Sequence, residues 1–143
     1  MPETISAAMR RLVRSRAGGR CEYCMTPSGY APEAFSIEHI QPRSKQGSSS
    51  LENLALACQG CNNHKFTRTR AVDPVTELSV ALFHPRRHQW REHFAWHTDA
   101  RHVIGLTSIG RATVETLRLN RPGLVGLRQA LIAIGIHPPI HDS

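Results

Sequence analysis

The stretch SIEHIQPRSKQGSSSLENLALACQGCNNHK, residues 36–65, contains the pattern that decides the fold. Two short runs of apolar, β-type residues, at 35–40 and 54–57, flank a loop rich in serine, glycine and glutamine. A polar stretch of helical character follows the second run. The segment therefore predicts a strand, a flexible basic loop, a second strand and a helix, in that order.

Polar residues occupy defined positions of this predicted unit: Glu38, His39, Asn53, Asn62 and Lys65. Consecutive residues of a regular strand point to opposite faces, so Glu38 and His39 can address one site only where the strand bends or ends. Pro42 supports such an end, because it has no N–H for continued strand pairing. Asn62 and Lys65 are three residues apart and share one face of the predicted helix.

The four cysteines form two Cys-x-x-Cys pairs, Cys21 with Cys24 and Cys58 with Cys61. Two such pairs are typical of a structural zinc site. Because the predicted strands lie between the pairs, folding the hairpin would return the chain to the first pair, and zinc would hold both ends together. A thioredoxin-like redox pair and free structural thiols are the alternatives, but redox chemistry uses one exposed pair at the start of a helix.

This set of residues resembles the HNH endonuclease family. The shared features are Cys21-x-x-Cys24, Glu38-His39-Ile40, Pro42, Asn53-Leu54 and Cys58-x-x-Cys61-Asn62 with Lys65. The resemblance covers residues 20–70 and implies an α+β fold with a ββα-metal (HNH or His-Me finger) core and a structural zinc site. We expect a single domain, in which a basic N-terminal helix at 1–19 precedes this core and a mainly helical extension at 71–143 follows it.

The resemblance also implies a metal-dependent endonuclease that hydrolyses phosphodiester bonds in DNA. His39 would be the general base, since the ordinary histidine pKa of ~6.5 lets a neutral imidazole accept a proton near neutral pH. Glu38 and Asn62 would bind the catalytic cation, and Asn53 would hydrogen-bond the loop that positions the imidazole. Because oxygen ligands suit hard cations, we expect Mg²⁺ or Mn²⁺ there, beside the structural Zn²⁺.

The charge of the chain favours a polyanionic partner. Eighteen Lys and Arg, most of them Arg, stand against eleven Asp and Glu, which leaves a net charge of +7. The predicted phosphate contacts are Lys65, Arg68 and Arg70 on or after the helix and Arg43 in the loop. An ordinary solvated surface is the alternative for each of them.

The remaining chain predicts packing elements without assigned chemistry. We expect strands at 78–83 and 101–106 and helices at 85–96, 107–120 and 122–134, with Trp90 and Phe94 in the core. His84, His88, His93 and His97 have the i, i+4 spacing that a metal site uses. Because no Glu or Cys is in register with them, partly exposed helix histidines are the favoured interpretation.

No segment approaches the ~20 apolar residues of a membrane span, so we expect no membrane partner. Reduced zinc-binding thiols suit a cytoplasmic protein. A homodimer is one possible assembly, because cutting both DNA strands with one active site per chain takes a dimer or two successive nicks. Two other functions compete with the nuclease: a zinc-stabilised nucleic-acid-binding module without activity, and a toxin-like nuclease acting with a partner. The presence of His39, Asn53 and Asn62 together favours the nuclease, because binding alone needs none of them.

Overall fold

The computed structural model describes residues 4–140 and has an α+β architecture. The helices within this range are α1 (Ala7–Arg16), α2 (Gln59–Lys65), α3 (Trp90–His93), α4 (Ser108–Leu117) and α5 (Pro122–Ala133). The strands form three antiparallel pairs: β1 (Ser36–His39) with β2 (Leu54–Ala57), β3 (Arg70–Val72) with β4 (Ser79–Ala81), and β5 (Phe94–Trp96) with β6 (Val103–Gly105). No helix in residues 4–140 is long and apolar enough to cross a membrane. The ends of the predicted terminal segments, at 1–3 and 141–143, lie outside the described residues.

The strand, loop, strand and helix predicted from residues 36–65 are present as β1, β2 and α2. Glu38 pairs across the sheet with Ala55, and His39 with Leu54. All residues of β2 are buried, which explains its uninterrupted apolar sequence. β1 ends at His39, although the Ile40 N–H still donates to the carbonyl of Asn53. Glu38, the predicted cation ligand, and His39, the predicted general base, are therefore the last two residues of β1.

The loop between β1 and β2, predicted to be flexible, is closed by hydrogen bonds of Asn53. Asn53 Nδ2 donates to the carbonyls of Gln41 (3.0 Å) and Ser48 (2.7 Å), and its Oδ1 accepts from the Gln41 N–H (2.8 Å). Gly47 lies so close to Gln41 that a Cβ would stand 1.7 Å from its carbonyl oxygen. A side chain at position 47 would therefore force the loop apart.

The N-terminal helix and the extension both pack on this unit. α1 begins at the side-chain cap of Ser6, buries Val13, and ends where Arg16 donates to the carbonyls of Leu51 and Leu54. The core cluster joins these elements and includes apolar residues of the extension: Phe83, Trp90, Phe94, Leu117 and Leu124. The same cluster contains the four cysteines, so the extension packs directly against the hairpin and the cysteine pairs.

The predicted helix at 85–96 is wrong. Only Trp90–His93 is helical, and the chain then becomes β5, where Phe94 pairs with Gly105. Strand pairing with β6 decides the conformation, although Trp90 and Phe94 are buried as predicted. The strands predicted at 78–83 and 101–106 are present as β4 and β6, and β5 is a strand that the sequence did not predict.

Candidate nuclease site and metal centre

The four cysteine sulfurs lie together between the two ends of the hairpin unit. Their ligand atoms are all within 4.8 Å of one another, and the Sγ atoms of Cys24 and Cys58 are 3.7 Å apart. Tetrahedral Zn²⁺ bound by sulfurs at ~2.3 Å places neighbouring sulfurs about 3.8 Å apart. All four cysteines are buried, and none forms a disulfide. The cluster therefore fits a structural metal such as zinc, and the predicted grouping is confirmed.

The four cysteines of the cluster differ in their electrostatics. Burial raises the pKa of Cys21, whereas hydrogen bonds from the neighbouring thiols, Cys21 first, lower the pKa of Cys58. Four buried sulfurs cannot all ionise without a compensating cation, because each thiolate repels the others in a low dielectric. A metal ion bound by the four sulfurs would supply that charge.

The imidazole of His39 is fixed by the loop that follows it. Its Nε2 lies 2.8 Å from Ser49 Oγ, and Ser49 is buried while the ring of His39 is partly exposed. Asn53 binds the carbonyl of Ser48, directly before Ser49. The hydrogen bonds thus run from Asn53 through the loop to Ser49 and the imidazole.

Glu38 points to the other face of β1, into the protein. Tyr23 Oη donates to its Oε1 (2.5 Å), and Lys65 Nζ lies 3.0 Å from its Oε2. Lys65 also donates to the carbonyl of Ile40 (2.9 Å). Glu38 is 5% exposed and Lys65 1%. Burial raises the pKa of Glu38, and Lys65 and Tyr23 act against that rise. Lys65 is therefore an internal counter-ion, which corrects the prediction of a surface phosphate contact.

The order of these elements and the cysteine cluster agree with a comparison against known families. Residues 21–68 match the HNH endonuclease family. This segment, called the HNH segment below, contains both cysteine pairs, His39, Asn53 and Asn62, and the resemblance is confirmed for it. No curated protein and no solved structure matches the chain. The match indicates a nuclease or nucleic-acid-binding function for the HNH segment.

The predicted catalytic cation would have to compete with Lys65 for Glu38. Both carboxylate oxygens have partners inside the HNH segment, so a cation at Glu38 would have to replace the Lys65 ammonium. In residues 4–140, the four cysteines are the one group of three or more Cys, His, Asp or Glu with ligand atoms close enough for a metal. Asn62 lies half-buried in α2. The Mg²⁺ or Mn²⁺ site stays a prediction.

The buried ion pair leads to a stability prediction. Lys65→Met is expected to lower the free energy of unfolding by about 3–5 kcal/mol, because it leaves a buried carboxylate without its counter-ion. Denaturant unfolding of the zinc-loaded protein measures the change. The matched control is Glu38→Gln/Lys65→Met, which removes both charges and should recover part of the loss. Wild-type stability in Lys65→Met would mean that another cation balances Glu38.

A residue outside the HNH segment contacts the cysteine cluster. Arg121, directly before α5, places Nη2 3.5 Å from Cys58 Sγ and both terminal nitrogens 3.7 Å from Cys61 Sγ. Its guanidinium packs on Gly60, where a Cβ would lie 2.5 Å from Nη2. The extension thus brings a positive charge to the sulfurs. Sequence reasoning missed Arg121, because nothing in its surroundings except Pro122 marks the position.

Arg121→Ala is expected to weaken zinc binding by about 10- to 100-fold, the usual effect of losing a partner of metal ligands. Gly60→Ala should change affinity in the same direction, because the new methyl group displaces the guanidinium. Competition with a chromogenic chelator measures the zinc dissociation constant. Gly126→Ala is the matched control, since a Cβ there meets nothing within 4 Å. Equal zinc affinity in Arg121→Ala and wild type would show that the sulfur contacts do not support the metal.

The other predicted phosphate contacts are on the surface. Arg43, Arg68 and Arg70 are all exposed. Arg68 donates to the carbonyl of His64 (3.0 Å), and Arg70 donates to that of Ser79 (2.9 Å). These bonds hold the side chains near the C-terminal end of α2 and the β3–β4 pair, and their role in nucleic-acid binding stays a prediction.

Proposed function

We propose that this chain is an endonuclease that hydrolyses phosphodiester bonds in DNA, with His39 as the general base. The HNH match of residues 21–68 supports the class, nuclease or nucleic-acid binding. The observation that favours catalysis over binding alone is the fixed position of the imidazole. His39 forms a hydrogen bond with the buried Ser49, in a loop that Asn53 closes. A binding module has no need for an imidazole positioned in this way.

Phosphodiester hydrolysis requires an activated water, stabilisation of the charge on the phosphoryl oxygens, and protonation or stabilisation of the leaving oxygen. A neutral imidazole at the end of β1 takes the proton from the attacking water. The hydrogen bond to Ser49 keeps the ring from rotating, which preserves its direction toward the substrate. Exposed arginines near α2 supply positive charge for the phosphate.

One observation favours the second candidate, a zinc-stabilised nucleic-acid-binding module. The carboxylate that the family resemblance assigns to a catalytic cation is engaged by Tyr23 and Lys65. Such a module keeps the cysteine cluster and the basic surface but does not cut DNA. Cleavage therefore separates the two candidates, whereas DNA binding does not.

The test is the cation dependence of cleavage by the zinc-loaded protein. Supercoiled plasmid is incubated with Mg²⁺, Mn²⁺, Ni²⁺ or no added cation, and omitting the cation leaves the structural zinc in place. We expect nicked or linear plasmid with Mg²⁺ or Mn²⁺, because the predicted ligands are oxygen atoms. Plasmid that is bound but intact under every cation would support the binding module. Activity with Ni²⁺ but not with Mg²⁺ or Mn²⁺ would contradict the prediction that oxygen atoms bind the catalytic cation.

A further inference from the structure

Three adjoining cavities run from α2 to the loop after β1. The first, about 540 Å³, lies between α2 and α4 and is lined by Arg68, Arg70 and Arg118. The second, about 310 Å³, shares Arg70 with the first and adds Arg87. The third, about 380 Å³, shares Arg87 with the second. The four arginines are called the basic track below.

The basic track leads to the loop that positions His39. Gln41, two residues after His39, lines both the second and the third cavity. Asn53, whose side chain holds this loop, lines the third cavity. A strand lying along the track would therefore approach the end of β1, where the imidazole is held.

The charge along the track is positive, because four arginines stand against two carboxylates. All four arginines are exposed. The acidic residues that line the cavities are Glu115 in the first and Glu52 in the third. Lys65 adds little, because Glu38 neutralises it. His64, also in the first cavity, has a pKa lowered first by burial and then by the charges of Arg121 and Arg118. Of these two arginines, Arg118 belongs to the basic track.

We propose that the basic track binds the phosphodiester backbone of DNA, and that the extension supplies two of its four arginines, Arg87 and Arg118. The proposal rests on the proposed function, because it takes DNA as the substrate. Arginine donates two parallel hydrogen bonds to a phosphate, and a concave surface with one sign of charge concentrates a polyanion. The extension therefore forms one wall of the DNA-binding surface and is more than a packing element for the HNH segment.

The experiment measures DNA affinity against salt by fluorescence anisotropy of a labelled duplex. Wild type and Arg87→Gln/Arg118→Gln are compared without added divalent cation, so that binding is measured apart from cleavage. The control is Arg10→Gln/Arg91→Gln, which removes the same charge from two exposed arginines outside the three cavities. Melting temperatures of the zinc-loaded proteins confirm that each variant folds.

Two lost phosphate contacts should make the negative slope of log K against log salt shallower by about 1.8 and weaken binding by roughly 10-fold or more near physiological salt. The control should retain the wild-type slope. An equal loss of DNA affinity in both double variants would mean that only the net charge matters. It would overturn the proposal that the basic track binds DNA. A wild-type slope in the track variant would also overturn it, even where the wild type cuts DNA. A shallower slope in the track variant, with no DNA cleavage by the wild type, would support DNA binding by the basic track and contradict the nuclease proposal.

Discussion

Replacing His39 with alanine is expected to lower the rate of DNA cleavage by about 10²- to 10⁴-fold, the usual contribution of a general base. The loss should be confined to the chemical step, because the imidazole lies at the end of β1 and is partly exposed. DNA affinity and melting temperature should stay close to those of the wild type. Single-turnover cleavage of a labelled duplex, with protein in excess, measures the rate of that step.

His97→Ala is the matched control, since His97 is another histidine with a side chain 52% exposed. Ser49→Ala should give a smaller loss of rate than His39→Ala, because it removes a partner of the imidazole and leaves the base. Cleavage by His39→Ala at the wild-type rate would remove His39 from the mechanism. Equal loss in His39→Ala and His97→Ala would point to a general effect of histidine removal.

Removing the structural metal should unfold the chain. Structural zinc contributes about 10–16 kcal/mol in small zinc domains, comparable to the whole stability of about 5–15 kcal/mol of an ordinary domain. The cysteine cluster lies within the main core and packs against apolar residues of both the hairpin and the extension. Without the metal, the buried sulfurs lose the bonds that hold the two pairs together. Cys58→Ser should have the same effect as chelation.

Trp90 offers a direct probe for this unfolding. Its Nε1 donates to the carbonyl of Tyr23, between the two cysteines of the first pair, at 2.9 Å. Tryptophan fluorescence and circular dichroism are followed while a strong zinc chelator is added under reducing conditions. The signal should return with Zn²⁺ but not with Mg²⁺. A metal-free protein with the wild-type spectrum and melting temperature would show that the cysteines form an ordinary packed cluster.

The parts of the fold that could be predicted from sequence are those with local signals. The apolar run of β2, the spacing of both cysteine pairs and the proline that begins α5 each determine a structure within a few residues. Asn53 could be located from the family resemblance, and its bonds to the loop are present. The position of His39 at the end of β1 follows from the same short segment.

The parts that could not be predicted depend on contacts between distant residues. The helical spacing of Trp90 and Phe94 is real, but pairing with β6 makes Phe94 extended. The direction of Lys65 depends on Glu38 and Tyr23, which no helical pattern contains. Arg121 and Arg87 reach the cysteines and the loop only after the extension has packed. The site therefore has partners that a search of the HNH segment alone does not find.

The most direct test of cleavage by His39 is a plasmid assay of zinc-loaded wild type and His39→Ala, side by side, with Mg²⁺ or Mn²⁺ and without added cation. Only the wild type should convert supercoiled plasmid to nicked or linear forms, while both proteins should bind the DNA with similar affinity. Equal cleavage by both proteins would contradict the role of His39. An intact plasmid in every reaction, with DNA bound, would contradict the nuclease itself.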